Sequence, residues 1–175
     1  MIAVAVLGSN ANAVRVAGRL AAAGYVVRTW GTAEAGAAGS ARPGRGPRAN
    51  PTPAGAAAGA RALLTCVEDP DDLRALLTDR RAGALGAVAS GAWWLNLAPA
   101  AAATNEEFRA LARSHALTYQ HTPLIGEHGD LLAVGPAAAD ARAFCDPVLG
   151  AIAPVVRAGT PVVEVPVSAV GGSRR

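Results

Sequence analysis

The sequence predicts an α/β fold in a single domain: a mostly parallel sheet with helices on both faces. Three observations predict it. An apolar run, Ile2 to Leu7, meets Gly8, passes into an amphipathic stretch from about Asn12 to Ala23, and returns as a second apolar run, Tyr25 to Trp30. Short apolar runs then keep alternating with segments of helical spacing to about residue 157, the pattern a parallel sheet requires because each crossover must run back along a face. A chain of 175 residues with 51% hydrophobic content is also long enough to bury one core.

The elements follow in order. The first thirty residues read as strand, tight turn, helix and strand. From Gly31 to Pro53 the composition collapses into Gly, Ala, Pro and Arg with no hydrophobic period, so residues 31–53 read as a long mobile loop. A short Ala-rich helix, Ala54 to Gly59, leads to a third strand, Arg61 to Val67, closed by the turn residues Glu68, Asp69 and Pro70. A helix over Asp71 to Thr78 places Asp71 and Asp72 in its first turn, where carboxylates complement the helix dipole. AWWLNL is the fourth strand, and its adjacent Trp93 and Trp94 point to opposite faces: core on both sides is the plainer reading, and one in the core with the other lining the crevice or covering a partner surface is the alternative. Thr104 to Ser114 is a helix with a T-x-x-E capping pattern through Thr104 and Glu107. ALTYQHT is the fifth strand; Asp130 to Val134 reads as a strand, Pro136 to Ile152 as a helix and Pro154 to Arg157 as a short strand. The domain is assigned to residues 1–157 and an extended tail to 158–175.

The turn after the first strand carries most of the functional information. A dinucleotide-binding fingerprint, G-x-G-x-x-G/A, appears here as Gly8, Asn10 and Ala13, which makes the fold Rossmann-like with a damaged phosphate loop. Gly8 serves the tight turn. Asn10 sets a carboxamide where the second glycine normally lets backbone approach a pyrophosphate, and Ala13 still permits close packing of helix on strand. The helix N-terminus keeps its attraction for anions, and Asn10 or Asn12 is placed to cap it.

Composition removes several function classes. All sixteen cationic residues are arginine, so lysine Schiff bases and the lysine of a P-loop are impossible here. The net charge of +3 is dispersed, with no aromatic residues interleaved, and nucleic acid is not an expected partner. No long apolar span and no basic-then-apolar leader is evident, so no membrane association is expected and the cytoplasm is the expected compartment. Cys66 and Cys145 lack a C-x-x-C pairing and read as buried small apolar residues; no metal site is expected.

The order of segments resembles the N-terminal domain of the β-hydroxyacid dehydrogenase superfamily, the imine reductases most closely. The resemblance spans about residues 1 to 157. It is carried by LGSNANAVRVAGRLAAAGYVVRTW, ALLTCVEDPDDLRALL, WWLNLAPAAAATNEEFRALA and LTYQHTPLIGEHGDLLAVGPAAADARAFCDPVLGAIAPVV. It implies NADPH-dependent reduction of a carbonyl or imine, in an intertwined dimer completed by a helical C-terminal domain. The chain ends where that domain is expected to begin, so a partner chain or a homodimer is expected to complete the site, with the valine-rich TPVVEVPV tail as a candidate edge strand.

The matching positions depart from the family's pattern. Where the family carries an N-R-T-like segment whose arginine grips the 2′-phosphate of NADPH, this chain has Gly31 and Thr32, which leaves the loop arginines Arg42, Arg45 and Arg48 for that role. No acidic residue stands directly at the strand end to hold ribose hydroxyls, so NADP is favoured over NAD, or no dinucleotide binds at all. In place of D-x-S-T stand Asn96, Leu97, Ala98 and Pro99. In place of D-A-P-V-S-G-G stand His121, Thr122, Pro123, Leu124, Ile125, Gly126 and Glu127.

That last replacement is the candidate for chemistry. At the carboxyl end of a parallel strand, His121 and Glu127 form a candidate general base and partner, with Tyr119 as donor. The plainer alternative is that Glu127, His128 and Asp130 decorate an exposed turn and that Tyr119 and His121 share a face for packing. Three functions remain open for a small-molecule ligand. They are an NADP-dependent reductase or its cofactor-binding subunit, a redeployed domain doing acid/base cyclisation or dehydration in secondary metabolism, and a non-catalytic binding or scaffold protein.

Overall fold

Nine strands and five helices make up the residues that the computed structural model describes, 2–32, 46–126 and 131–157. The first strand, β1 (Ala3–Leu7), is an apolar run buried on both faces, as a central parallel strand must be. Helix α1 (Ala11–Ala22) follows, capped by Asn10, and buries Ala13, Val16, Ala17 and Leu20 at helical spacing. The chain returns as β2 (Val26–Trp30), parallel to β1 with Val6 opposite Thr29.

The expected loop over 31–53 needs correction. Residues 33–45, with Arg42 and Arg45, lie outside the described residues, but Arg48–Ala49 form a strand, β3, paired in parallel with β2 through Arg28↔Arg48 and Thr29↔Ala49. Two exposed residues carry no periodicity, so only pairing with β2 makes them a strand. Helix α2 (Pro53–Ala57) starts at the last residues of the same stretch, with Thr52 accepting from the Gly55 N–H at 3.0 Å.

Strand β4 (Ala62–Thr65) and helix α3 (Pro70–Thr78) match the expectation, with Asp69 as the cap that accepts from the Asp71 and Asp72 N–H groups. After β5 (Trp93–Asn96), helix α4 (Ala102–Ser114) begins two residues before the expected Thr104. No side chain caps it, and Glu107, expected to close a capping box, instead forms a two-pronged ion pair with Arg74 at 2.7 and 3.0 Å. Strand β6 (Thr118–His121) completes a parallel sheet in the order β3-β2-β1-β4-β5-β6.

A second, three-stranded sheet follows. It consists of β7 (Leu124–Ile125), β8 (Leu132–Gly135) and β9 (Val155–Arg157), with α5 (Ala139–Ile152) crossing between the last two. The dipeptide β7 lies between the expected strands ALTYQHT and Asp130 to Val134, where no element was expected; its antiparallel pairing with β8 makes it a strand.

Alternation along the strands divides the core in two. Val4, Val6, Leu64 and Leu95 pack with α1 and α5, while Ala5, Leu7, Leu63 and Trp94 pack with α2, α3 and α4. Trp93 stacks on Phe144 at 5.1 Å on the first face, and Trp94 meets Phe108 and Tyr119 at 5.2 and 4.8 Å on the second. Both thiols are buried, which pushes Cys66 and Cys145 up to about 12, with the neighbouring Asp146 charge adding to the effect at Cys145. Among the described residues no helix is long and apolar enough to cross a membrane.

Phe108 is 1% exposed and packs against both Trp94 and Tyr119. Phe108→Ala is expected to cost about 3–5 kcal/mol in urea unfolding, the range for deleting a buried aromatic ring. A cost below about 1 kcal/mol would mean that the second core is loosely packed at this point.

Candidate functional site

The sheet order reverses between β1 and β4, and open α/β sheets hold ligands in the crevice outside the carboxyl ends at such a switch point. Two turns line it here, the one after β1 and the one after β4, and a third, after β2, closes against the first. A Cβ on Gly8 would lie 2.9 Å from the Cys66 carbonyl oxygen, and Gly8 has φ +150°, so the position excludes any side chain. A Cβ on Gly31, at φ +85°, would lie 2.8 Å from the Gly8 carbonyl oxygen. No acidic or basic side chain can therefore stand at that end of β2, and Thr32 beside it is buried.

The structure also shows what Asn10 does. Its backbone, at φ −85° and ψ 170°, is extended and needs no glycine. Its carboxamide does not stand across the loop as an obstacle: Oδ1 accepts from the Ala13 N–H at 3.0 Å, and Nδ2 donates to the Cys66 carbonyl at 2.8 Å. Asn10 is both the α1 cap and a staple across the switch point. The Ala11 and Asn12 N–H groups have no partner among the described residues, and Ala13 is fully buried against the sheet. The backbone approach at Gly8, the two N–H groups without a partner among the described residues and the close packing of Ala13 fit an anionic group at the start of α1. Arg48 lies exposed on β3, with Arg28 opposite it in register.

A second polar constellation lies farther along the same edge. Thr65, Asn96 and His121 are register partners at the carboxyl ends of β4, β5 and β6, and Leu63, Trp94 and Tyr119 form the row beneath. The Trp94 indole N–H donates to Thr65 Oγ1 at 3.0 Å, and Thr65 Oγ1 donates to Asn96 Oδ1 at 3.1 Å. Asn96 Nδ2 donates to Tyr119 Oη at 3.4 Å, and Tyr119 Oη donates to Asn105 Oδ1 at 2.6 Å. Asn105, from α4, holds His121 Nδ1 at 3.3 Å, and His121 Nε2 sits 3.1 Å from the Ala98 carbonyl.

Tyr119 and His121 are thus brought together, through Asn105 and not by direct contact. Glu127, with His128 and Asp130, lies outside the described residues. The roles expected from sequence meet an arrangement already engaged: His121 has both ring nitrogens occupied, and Tyr119 is 6% exposed with its hydroxyl hydrogen committed to Asn105. Burial pushes the Tyr119 phenol from 10.0 up to about 12, against the opposing pull of the Asn96 hydrogen bond and the Arg109 charge. Sequence reasoning missed Asn105 and passed over Thr65. The signal for Thr65 and Asn96 was present, since each is a polar residue inside an apolar strand run, where burial demands a partner. Among the described residues no group of three or more His, Cys, Asp or Glu side chains is placed to hold a metal ion.

The family described as the NAD binding domain of 6-phosphogluconate dehydrogenase matches residues 2–159. The chain belongs to this family. A search of curated proteins returns no match. Among solved structures, the NAD binding domain resembles 3-hydroxyisobutyrate dehydrogenase from Mycobacterium tuberculosis with L-serine, at 24% identity and TM-score 0.73, over 90% of this chain and 54% of that one. An imine reductase variant from Myxococcus stipitatus in complex with NAD+ matches at 17% identity and TM-score 0.71, over 90% and 54%. The imine reductase of the same organism in complex with NADP+ matches at 19% and 0.66, over 90% and 55%. At these identities the likeness is one of fold. The chain spans about half the length of these structures.

Two outcomes follow from the geometry. Asn10→Gly removes the cap and the staple, so stability should fall by about 1 kcal/mol in urea unfolding, a few tenths for the cap, which glycine tolerates, and the rest for the lost hydrogen bond to the Cys66 carbonyl. The same change frees the Ala13 N–H, so affinity for a pyrophosphate-bearing nucleotide should rise in calorimetry. An unchanged affinity would mean that this N–H does not face the anion. For Tyr119 the unfolded chain releases its proton near 10.0 and the folded one near 12. The stability that the buried phenol confers is therefore complete below the first value and lost as pH climbs to the second. Wild type should lose stability relative to Tyr119→Phe across that window, and parallel curves would place the phenol in contact with solvent.

Proposed function

We propose that this chain is the pyridine-nucleotide-binding half of a reductase acting on a C=O or C=N bond, with NADP(H) preferred. The observation that carries the reading is the start of α1 at the switch point: Gly8 admits backbone contact, and the Ala11 and Asn12 N–H groups, which have no partner among the described residues, are available to a pyrophosphate. The bound nucleotide supplies the hydride. This chain's own residues bind and orient it, with Asn10 holding the phosphate turn against β4 and the Thr65–Asn96–His121 row forming the floor farther along the crevice.

Support for NADP over NAD comes from the end of β2. Gly31 leaves no room for a carboxylate that would hold ribose hydroxyls, and Arg42, Arg45 and Arg48 are the nearby cations in sequence for a 2′-phosphate. The substrate class is read from the neighbours, which are named as dehydrogenases of a hydroxy acid and as imine reductases. The substrate-side groups come from polypeptide beyond the described residues, and His121, half-buried at the carboxyl end of β6, stands at the same edge of the sheet as the switch point.

Calorimetric titration with NADPH and, separately, NADH tests the proposal. Micromolar NADPH binding, weaker NADH binding, and a loss of about tenfold or more in NADPH affinity on replacing Arg42, Arg45 and Arg48 by alanine are expected, the loss being that of a charge-assisted contact to phosphate. Folded protein that gives no heat with either nucleotide overturns the reading. The crevice would then serve acid/base chemistry or plain binding.

A further inference from the structure

The hydrogen bonds among Trp94, Thr65, Asn96, Tyr119, Asn105 and His121 form one chain whose direction is set at its ends. An indole N–H only donates, so Thr65 Oγ1 must accept from Trp94 and turn its own hydrogen to Asn96 Oδ1. That leaves Asn96 Nδ2 to donate to Tyr119 Oη, and Tyr119 to donate to Asn105 Oδ1. A backbone carbonyl only accepts. Asn105 Nδ2 lies 3.1 Å from the Ala100 carbonyl, which fixes the orientation of this carboxamide independently of Tyr119. The same Nδ2 faces His121 Nδ1, which must then be an unprotonated acceptor. At the other side of the ring, Nε2 faces the Ala98 carbonyl and must carry the hydrogen.

We infer that Asn105 is a positioning residue that fixes the tautomer of His121, with the hydrogen on Nε2 and the lone pair on Nδ1, and its ring held against the Ala98 carbonyl. Every donor in the chain is spent in one direction, and the two carbonyls at its end admit no reversal. The other tautomer, with its hydrogen on Nδ1, sets two N–H donors against each other and forces the Asn105 carboxamide to turn, which strips Ala100 of its donor and confronts the Tyr119 hydroxyl with an NH2 group. His121 is therefore a rigid half-buried wall of the crevice and not its base. If the reductase reading holds, the proton that reduction of a C=O or C=N bond consumes at oxygen or nitrogen comes from a group outside this chain of hydrogen bonds. The tautomer itself is read on the protein alone, so it stands or falls separately from nucleotide binding.

The test is long-range proton–nitrogen correlation spectroscopy on the uniformly nitrogen-15-labelled chain, at a pH where ordinary imidazoles are neutral. The chain has three histidines, and the His121 signals are assigned by their loss in His121→Gln. Wild type is expected to show a single Nε2–H tautomer at His121. Asn105→Ala should give a mixture of both tautomers, and Asn105→Asp, whose carboxylate can only accept, should move the hydrogen to Nδ1. A purely structural role for Asn105 would lower stability in both variants and leave the tautomer as it was. An Nδ1–H or mixed form in wild type overturns the inference, as does a retained Nε2–H form in Asn105→Ala, which would assign the tautomer to Ala98 alone. Circular dichroism confirms that each variant is folded, and if Asn105→Asp does not fold, the wild-type and alanine spectra decide.

Discussion

The absence of a side chain at Gly8 is the constraint on which the rest of the crevice depends. The turn after β1 donates its Gly8 N–H to the Trp30 carbonyl at 3.1 Å, admits the Cys66 carbonyl within 2.9 Å of where a Cβ would stand, and is itself met by Gly31. Three strand ends are thereby drawn to one point. Any larger residue at position 8 would separate β1 from β4 and open the switch point. Asn10 can act as a staple only because this contact has already brought Cys66 within its reach.

The two polar regions along the carboxyl edge are built on different principles. At the switch point the polar groups are backbone N–H and C=O, positioned by glycine and by helix geometry, and they suit a ligand whose charge is spread over phosphate oxygens. Across β4, β5 and β6 the polar groups are side chains, nearly all buried and bonded to one another. A buried network with every member satisfied rigidifies its surroundings and leaves little free capacity for a ligand. Contact with a phosphate therefore belongs to the first region and shape to the second.

Much of this was legible in the sequence. The β1–α1–β2 unit was readable because apolar runs, a turn glycine and helical spacing coincide within thirty residues. Trp93 and Trp94 could be assigned to opposite faces from strand alternation alone. β3 and β7 were not readable, since two residues have no period and become strands only through pairing, β3 with β2 about twenty residues earlier and β7 with β8 a few residues on. The start of α4 was misplaced for a related reason: Thr104 and Glu107 satisfy a local capping pattern, but Glu107 is drawn to Arg74, 33 residues distant, and Ala101 begins the helix without a side-chain cap. At the site, Gly8, Asn10 and Ala13 could be singled out from the fingerprint, whereas the direction in which the Asn10 carboxamide points could not. Asn105 was invisible because its partners come from β6 and from the turn after β5.

The placement of the two neighbouring tryptophans has an optical consequence. Trp93 looks into the layer held by α1 and α5 and lies flat against Phe144, while Trp94 looks into the layer of α2, α3 and α4 with its indole N–H bonded to Thr65. Consecutive residues thus sit in separate apolar compartments with the sheet between them, and their emission differs in origin though not in sequence position. A loosening of one layer ahead of the other would redden one indole and leave its neighbour dark to the event, so the chain carries its own gauge of whether its two faces melt together.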